Sequence, residues 1–194
     1  MNEKEKRDLG LAYDANFNED LLKERQKAEE LCFRFNSLSP TEEGAKRAVL
    51  EALIPGYPKS ATILSPFIAD YGYNVSIGEG SFINHGAYLM DCAPISIGSH
   101  VFIGPNLGAY TAIHPLDIES RNKGLEKAKP IVIEDDVWIA SDVTILPGAK
   151  IGHGSVIGAK SLVSGEIPPN VLAYGNPVRV IKPIDQDKHW DEAE

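Results

Sequence analysis

No stretch of this chain approaches the roughly 20 consecutive apolar residues that a membrane-spanning helix needs. Its first ten residues, MNEKEKRDLG, contain no apolar run of the kind a secretory signal requires, so neither insertion nor export is expected. Cysteine is scarce: Cys32 and Cys92 form neither a zinc-type pair nor a disulfide framework, and a reducing cytoplasm is the expected setting. Cations are the minority, 19 Lys and Arg against 28 Asp and Glu, and a net charge of −9 repels a phosphate backbone. General nucleic-acid binding is therefore excluded. A Walker-type loop and a GxGxxG turn are both missing, which disfavours nucleoside triphosphates and dinucleotides. What is plentiful is glycine (17) and proline (13), a sign of many turns.

Residues 1–55 read as helical. Asn18 caps a helix running to about Leu38, with Leu21, Ala28, Leu31, Cys32, Phe35 and Leu38 near one face. Ser39-Pro40-Thr41-Glu42 then has the form of a capping box with proline at the first helical position. Ala45, Ala48, Val49, Ala52 and Leu53 supply a second stripe, which Pro55-Gly56 stops. These are packing faces and demand no chemistry.

From about residue 60 another period takes over. Ile77, Ile83 and Leu89 lie six apart, as do Ile97, Ile103 and Ala109, and then Ile133, Ile139, Ile145, Ile151, Ile157 and Val163. Glycine follows directly at Gly78, Gly98, Gly104, Gly152 and Gly158, and small or aliphatic residues recur four places on. Neither a helix nor an alternating strand has this period; a parallel β-helix of hexapeptides does. Each hexapeptide gives a short strand and a turn, three make one triangular coil, and stacked coils bury a continuous aliphatic column. The expected layout is a helical segment over 1–58, a β-helix over 59–184 and a charged tail over 185–194.

The repeat breaks twice. Leu89 to Ile97 is eight residues, which places two extra near Asp91-Cys92-Ala93-Pro94. Residues 115–130, PLDIESRNKGLEKAKP, carry seven charges in sixteen positions without the inward pattern, so they leave the prism as a loop. Loops ejected from a rigid scaffold commonly carry function. His114 stands at its base, where an imidazole with a pKa near 6.5 suits a general base or, equally, a structural hydrogen bond. His85, His100 and His153 fall at surface turns, and His189 lies in the charged tail. Residues 143–182 hold Lys150, Lys160, Arg179 and Lys182 against Glu166, a local +3 on an acidic chain. That strip is either solvated surface or a seat for a phosphorylated ligand, with the Gly158-Ala159 and Ser164-Gly165 corners offering backbone N–H groups.

The hexapeptides, the segment Tyr110-Thr111-Ala112-Ile113-His114-Pro115-Leu116-Asp117, and the ending Gly175-Asn176-Pro177-Val178-Arg179-Val180-Ile181-Lys182 resemble the maltose and galactoside O-acetyltransferases. The likeness extends to the N-terminal helices with Tyr13-Asp14 and Arg25. It implies a left-handed β-helix, a homotrimer with active sites between subunits, and acetyl transfer from acetyl-CoA to a sugar hydroxyl, usually the 6-hydroxyl, without an acyl-enzyme or a metal. On this chain the resemblance makes His114 the general base and assigns Asn84 to the acceptor site, as a catalytic or sugar-binding residue. Asp70, Asp14, Arg25 and Asp91 become sugar contacts. Ser141, Ala159, Ser164, Gly165, Arg179 and Lys182 become CoA contacts, Trp138 packs on the pantetheine arm, and a backbone N–H near Ser141 stabilises the oxyanion. Cys92 stands where galactoside-type members have an acidic sugar ligand, so Asp91-Cys92-Ala93-Pro94 looks closer to the maltose branch.

Three alternatives stay open. The acceptor is a galactoside, an oligosaccharide or an antibiotic in one. In the second the prism is a zinc enzyme like the γ-type carbonic anhydrases, which the absence of two histidines close in sequence disfavours. In the third it is a non-catalytic scaffold, with no use for His114, the ejected loop or the basic strip.

Overall fold

The computed structural model describes residues 1–188; His189 and the rest of the tail lie outside the described residues. From residue 62 to 174 the chain winds as a parallel β-helix of about six coils. Its first face stacks Thr62–Ile63, Phe82–Ile83, Phe102–Ile103, Trp138–Ile139, Val156–Ile157 and Val171–Tyr174. The second stacks Phe67–Ala69, Ala87–Met90, Gly108–Tyr110, Thr144–Ile145 and Leu162–Val163, and the third stacks Val75–Ile77, Ile95–Ile97, Ile131–Ile133, Lys150–Ile151 and Glu166–Ile167.

Strand register turns the six-residue period into three dry columns. Ile83, Ile103, Ile139, Ile157 and Ala173 align on the first face, and Leu89, Ala109, Ile145 and Val163 on the second. Ile77, Ile97, Ile133, Ile151 and Ile167 align on the third. All are buried except the half-buried Ile77. The residues four places on are also buried, and where they are serines they are satisfied locally. Ser81 donates to the Gly98 carbonyl (2.7 Å), Ser155 to that of Pro168 (2.7 Å) and Ser161 to that of Gly158 (2.6 Å). Backbones meet closely at the corners: a Cβ on Gly78 would lie 2.4 Å from the Ser99 nitrogen, so glycine is required there.

The helical segment closes one end of the prism. Helix α1 spans Glu3–Asp8, α2 spans Glu19–Ser37 with Asn18 capping through the Leu21 N–H, and α3 spans Glu43–Leu53. Ala28, Cys32 and Phe35 of α2 and Val49, Leu50 and Leu53 of α3 join the core of the first coil. Asn36 also satisfies the first strand edge of the second face, donating to the Phe67 carbonyl and accepting from its N–H, both at 2.9 Å. At the far end Arg179–Pro183 folds back antiparallel on Val171–Tyr174.

Two expectations change. Residues 39–42 form a turn, not the first turn of a helix: Glu42 reaches back to the Ser39 N–H (2.8 Å), but α3 begins only at Glu43 and no side chain caps it. Residues 115–130 are not irregular either. Ala112–Ile113 and Leu125–Ala128 form an antiparallel hairpin around a short helix α4 (Ile118–Asn122), and Tyr13–Asp14 pairs on the hairpin's outer strand.

Truncating one column residue tests this core. Ile145→Ala opens a cavity between Ala109 and Val163 and is expected to cost about 2–5 kcal/mol, read by chemical denaturation at fixed protein concentration. A loss below about 1 kcal/mol contradicts a close-packed column.

Candidate active site

The edge between the second and third faces is where the repeat is interrupted. At the eight-residue step the Asp91 carboxylate turns inward and accepts from the backbone N–H groups of Tyr71 (2.8 Å) and Asn74 (3.2 Å). Asn74 returns a hydrogen bond to the Asp91 carbonyl (2.7 Å). Asp91 is 0 % exposed, so it braces the corner, and the expectation that it touches a sugar is corrected by that burial. Burial pushes its carboxyl up to about 6 against the pull of the two backbone donors.

One coil further on, buried Thr111 fixes the base of the hairpin. Its hydroxyl donates to the Met90 carbonyl (2.6 Å) and accepts from the Ala93 N–H (3.0 Å). The strand that follows, Ala112–Ile113, leads directly into His114, whose imidazole is 49 % exposed. Glu126 on the returning strand lies behind it, with Nε2 of His114 3.6 Å from Oε2 of Glu126. The other carboxylate oxygen accepts from the buried Tyr13 hydroxyl. His114 and Glu126 line a cavity of about 240 Å³ together with Ala12, Ile113, Pro115 and Leu125.

Glu126 is the residue that the sequence reading missed. It is one of seven charges in a charged run, and only the pairing of residues 13 and 126, 113 positions apart, singles it out. Among the described residues no three His, Cys, Asp or Glu side chains group as a metal site.

On the same edge, half-buried Asp70 accepts from the Tyr88 hydroxyl (2.7 Å) and lies 3.9 Å from the Cys92 sulfur. Burial raises its carboxyl, with Tyr88 and Arg25 acting in opposition. Asp70, Tyr88, Arg25 and Ile68 line a second cavity of about 470 Å³. Arg25 is braced by the Tyr71 hydroxyl (3.2 Å) and the Ala15 carbonyl (2.6 Å). Asp14 holds its own turn, accepting from the Phe17 N–H (2.9 Å). Cys92 itself is buried among Tyr13, Tyr71 and Ala93.

The remaining residues separate by edge. Asn84, Ser141 and Ala159 follow first-face strands along the edge between the first and second faces, where the Lys160 N–H donates to the Ser141 carbonyl (3.0 Å). Trp138 is half exposed on the first face, in a ladder with Val156, Leu172 and Lys182. Arg179 stands opposite Tyr174 in the same sheet. Ser164 and Gly165 lie on the other edge, two coils beyond the hairpin. The basic strip is thinner than its sequence suggests, because Lys150 pairs with Glu134 (2.9 Å) and Glu166 (3.8 Å).

Two family models match the chain: a bacterial transferase hexapeptide (six repeats) over residues 130–165, and a maltose acetyltransferase hexapeptide capping motif over 9–57. A maltose O-acetyltransferase from Clostridium difficile 630 matches with a TM-score of 0.93 at 42% identity, covering 96% of this chain and 99% of that one. The chain belongs to the hexapeptide-repeat acetyltransferases. Another member of these acetyltransferases, VCA0836 of Vibrio cholerae O1 biovar eltor, complexed with acetyl coenzyme A, matches at TM-score 0.87 and 35% identity over 96% of this chain and 100% of that one. The Saccharomyces cerevisiae protein YJL218W, which carries an acetyltransferase name, is 45% identical over 177 residues, 91% of this chain and 90% of its own. The hexapeptide-repeat acetyltransferase fold and its capping segment thus cover the described residues almost end to end.

Asp91 makes stability depend on pH. Its folded carboxyl titrates above the ordinary 3.8, so this group favours folding below about pH 4, and that contribution is lost as pH rises to about 6. Relative to Asp91→Asn, the native chain is expected to lose about 2–3 kcal/mol across that window. Denaturation curves at several pH values check it, and a difference independent of pH counts against a titrating Asp91.

Proposed function

We propose that this acetyltransferase moves the acetyl group of acetyl-CoA to a sugar hydroxyl, the 6-hydroxyl of a maltose- or glucose-like acceptor, with His114 as general base. The observation that carries the reading is the half-exposed His114 imidazole at the lip of a cavity with the buried Glu126 carboxylate behind it. Glu126 faces Nε2, which leaves Nδ1 with the free lone pair. Nδ1 takes the proton of the acceptor hydroxyl as its oxygen attacks the thioester carbonyl carbon. The tetrahedral intermediate collapses, the C–S bond breaks, and the imidazolium returns the proton to the CoA thiolate. Glu126 stabilises the imidazolium in between, and a backbone N–H near Ser141 stabilises the oxyanion.

The acceptor assignment is supported by the maltose-type capping motif and by the C. difficile relative, the donor by the V. cholerae complex with acetyl coenzyme A. Asp70 and Arg25, on the hairpin's edge, suit polyhydroxyl recognition because a carboxylate and a guanidinium satisfy neighbouring hydroxyls. Arg179, Lys182 and Lys160 suit the phosphates of CoA, and Trp138 its pantetheine arm.

Asn84 and Ser141 stand on one edge of the second face and His114 on the other, a strand's length or about 10 Å apart. One protomer cannot bring them onto one substrate. A closed threefold ring sets each copy's first edge against its neighbour's second, so the reading is a homotrimer with sites between subunits. The tip of the hairpin agrees: Leu116 is 97 % exposed and Ile118 68 %, an apolar pair for a neighbour to cover.

Mass-spectrometric detection of acetylated maltose, glucose and galactoside tests the chemistry. His114→Ala is expected to lose about 10²–10⁴-fold in rate while still binding acetyl-CoA. Co-refolding inactive His114→Ala with inactive Asn84→Ala tests the assembly: random trimers rebuild intact sites at about a quarter of positions. No recovery in the mixture means that both residues serve one protomer's site.

A further inference from the structure

The array behind His114 is drawn from three strands of one small sheet, and its far end is on the N-terminal segment. Tyr13 stands directly opposite Glu126 in the antiparallel register, so their side chains leave the same face of the sheet side by side. The Tyr13 ring is 0 % exposed, packed with Ala15, Leu21, Tyr71, Cys92 and Ala128. Its hydroxyl donates to Oε1 of Glu126.

From this geometry we propose that Tyr13 is a positioning residue for acetyl transfer: it clamps one oxygen of Glu126 so that the other stays aimed at His114. The inference rests on the reading of His114 as the base. A carboxylate is a planar acceptor with two oxygens, so fixing Oε1 against a buried donor also fixes where Oε2 points. Glu126 is only 6 % exposed, so its carboxylate relies chiefly on protein donors, of which the Tyr13 hydroxyl is the one placed on Oε1. The donor is dependable. Burial, with Cys92 and Glu126 nearby, holds the Tyr13 hydroxyl protonated far above the ordinary tyrosine range.

The strand carrying Tyr13 is itself held from three sides. The Asp14 N–H donates to Glu3 of α1 (2.6 Å), the Ala15 N–H donates to the Gly124 carbonyl (3.0 Å), and Arg25 of α2 donates to the Ala15 carbonyl (2.6 Å). Through Tyr13 the segment that caps the prism also sets the orientation of the base, which a cap alone has no need to do.

Steady-state kinetics with acetyl-CoA and the best acceptor, on Tyr13→Phe, Glu126→Gln and the double variant, tests this. Tyr13→Phe is expected to lower kcat about tenfold with KM for acetyl-CoA unchanged. In the Glu126→Gln background the same change is expected to alter kcat by less than about twofold, because the group it positions is gone. Equal losses in both backgrounds overturn the proposal, as does a native kcat in Tyr13→Phe. Should Tyr13→Phe fail to assemble, Glu126→Asp decides: it keeps the charge but is one methylene too short to serve Tyr13 and His114 together. A loss of similar size supports the clamp, and a native kcat refutes it. His114→Ala runs alongside: if that variant keeps the native kcat, the base reading fails; if it is inactive while Tyr13→Phe is native, only the present inference fails.

Discussion

Everything in this molecule is referred to the stacking of one coil on the next. Three aliphatic columns and the parallel hydrogen bonds between successive coils leave each strand a single register, since a slip of one residue would turn the inward isoleucines to solvent. The same constraint explains the backbone contacts at Gly78 and the serines that satisfy the corners from inside. A prism fixed in this way holds its edges as straight lines of equivalent positions. Residues far apart in sequence, such as Ser141 and Ala159, then fall into equivalent places one coil, about 5 Å, apart, with Asn84 two coils earlier and one position before that row.

The candidate site sits where the stacking is broken and has to be braced by other means. At the eight-residue step the buried Asp91 carboxylate replaces a regular corner by gripping two backbone N–H groups. At the hairpin base the Thr111 hydroxyl spans one backbone carbonyl and one N–H, donating to Met90 and accepting from Ala93. Both braces are polar and internal, and each ties its corner to the preceding coil. His114 is therefore exposed enough to meet a substrate while the strand that carries it is pinned at its start. A loop of the same length without Thr111 and the pairing at Tyr13 would have no fixed place for its imidazole.

The six-residue period made the prism legible in the sequence, because a local repeat and a global packing rule coincide there. The position of His114 at the base of the ejected run, joined to the family resemblance, marked it as a candidate. What escaped the sequence were features made by distant pairing or by competition among local options. Glu126 meets the Tyr13 hydroxyl only because residues 13–14 add a strand to the hairpin. Ser39-Pro40-Thr41-Glu42 has a capping-box pattern, yet its hydrogen bonds close a turn and leave α3 to start at Glu43. Asp91 has the chemistry of a sugar ligand, and only its burial shows the backbone claiming it. Lys150 counts as a cation in the sequence but faces two carboxylates one coil away on either side.

The N-terminal segment serves two purposes that need opposite properties. As a cap it has to present a broad apolar face, which Phe35, Leu50 and Leu53 supply against the first coil. At the hairpin it has to supply a buried polar contact, and it does so from a separate small cluster around Tyr13 that is not continuous with the main core. Keeping the two clusters apart lets the cap be stabilised by area alone, while the Tyr13–Glu126 contact sits in its own small cluster beside Cys92. A single merged core would force one surface to be both generically apolar and specifically hydrogen-bonded, and an unsatisfied carboxylate there would cost more than the packing returns. The division into two clusters is thus the arrangement that lets one segment close the prism and also hold the Glu126 carboxylate behind His114.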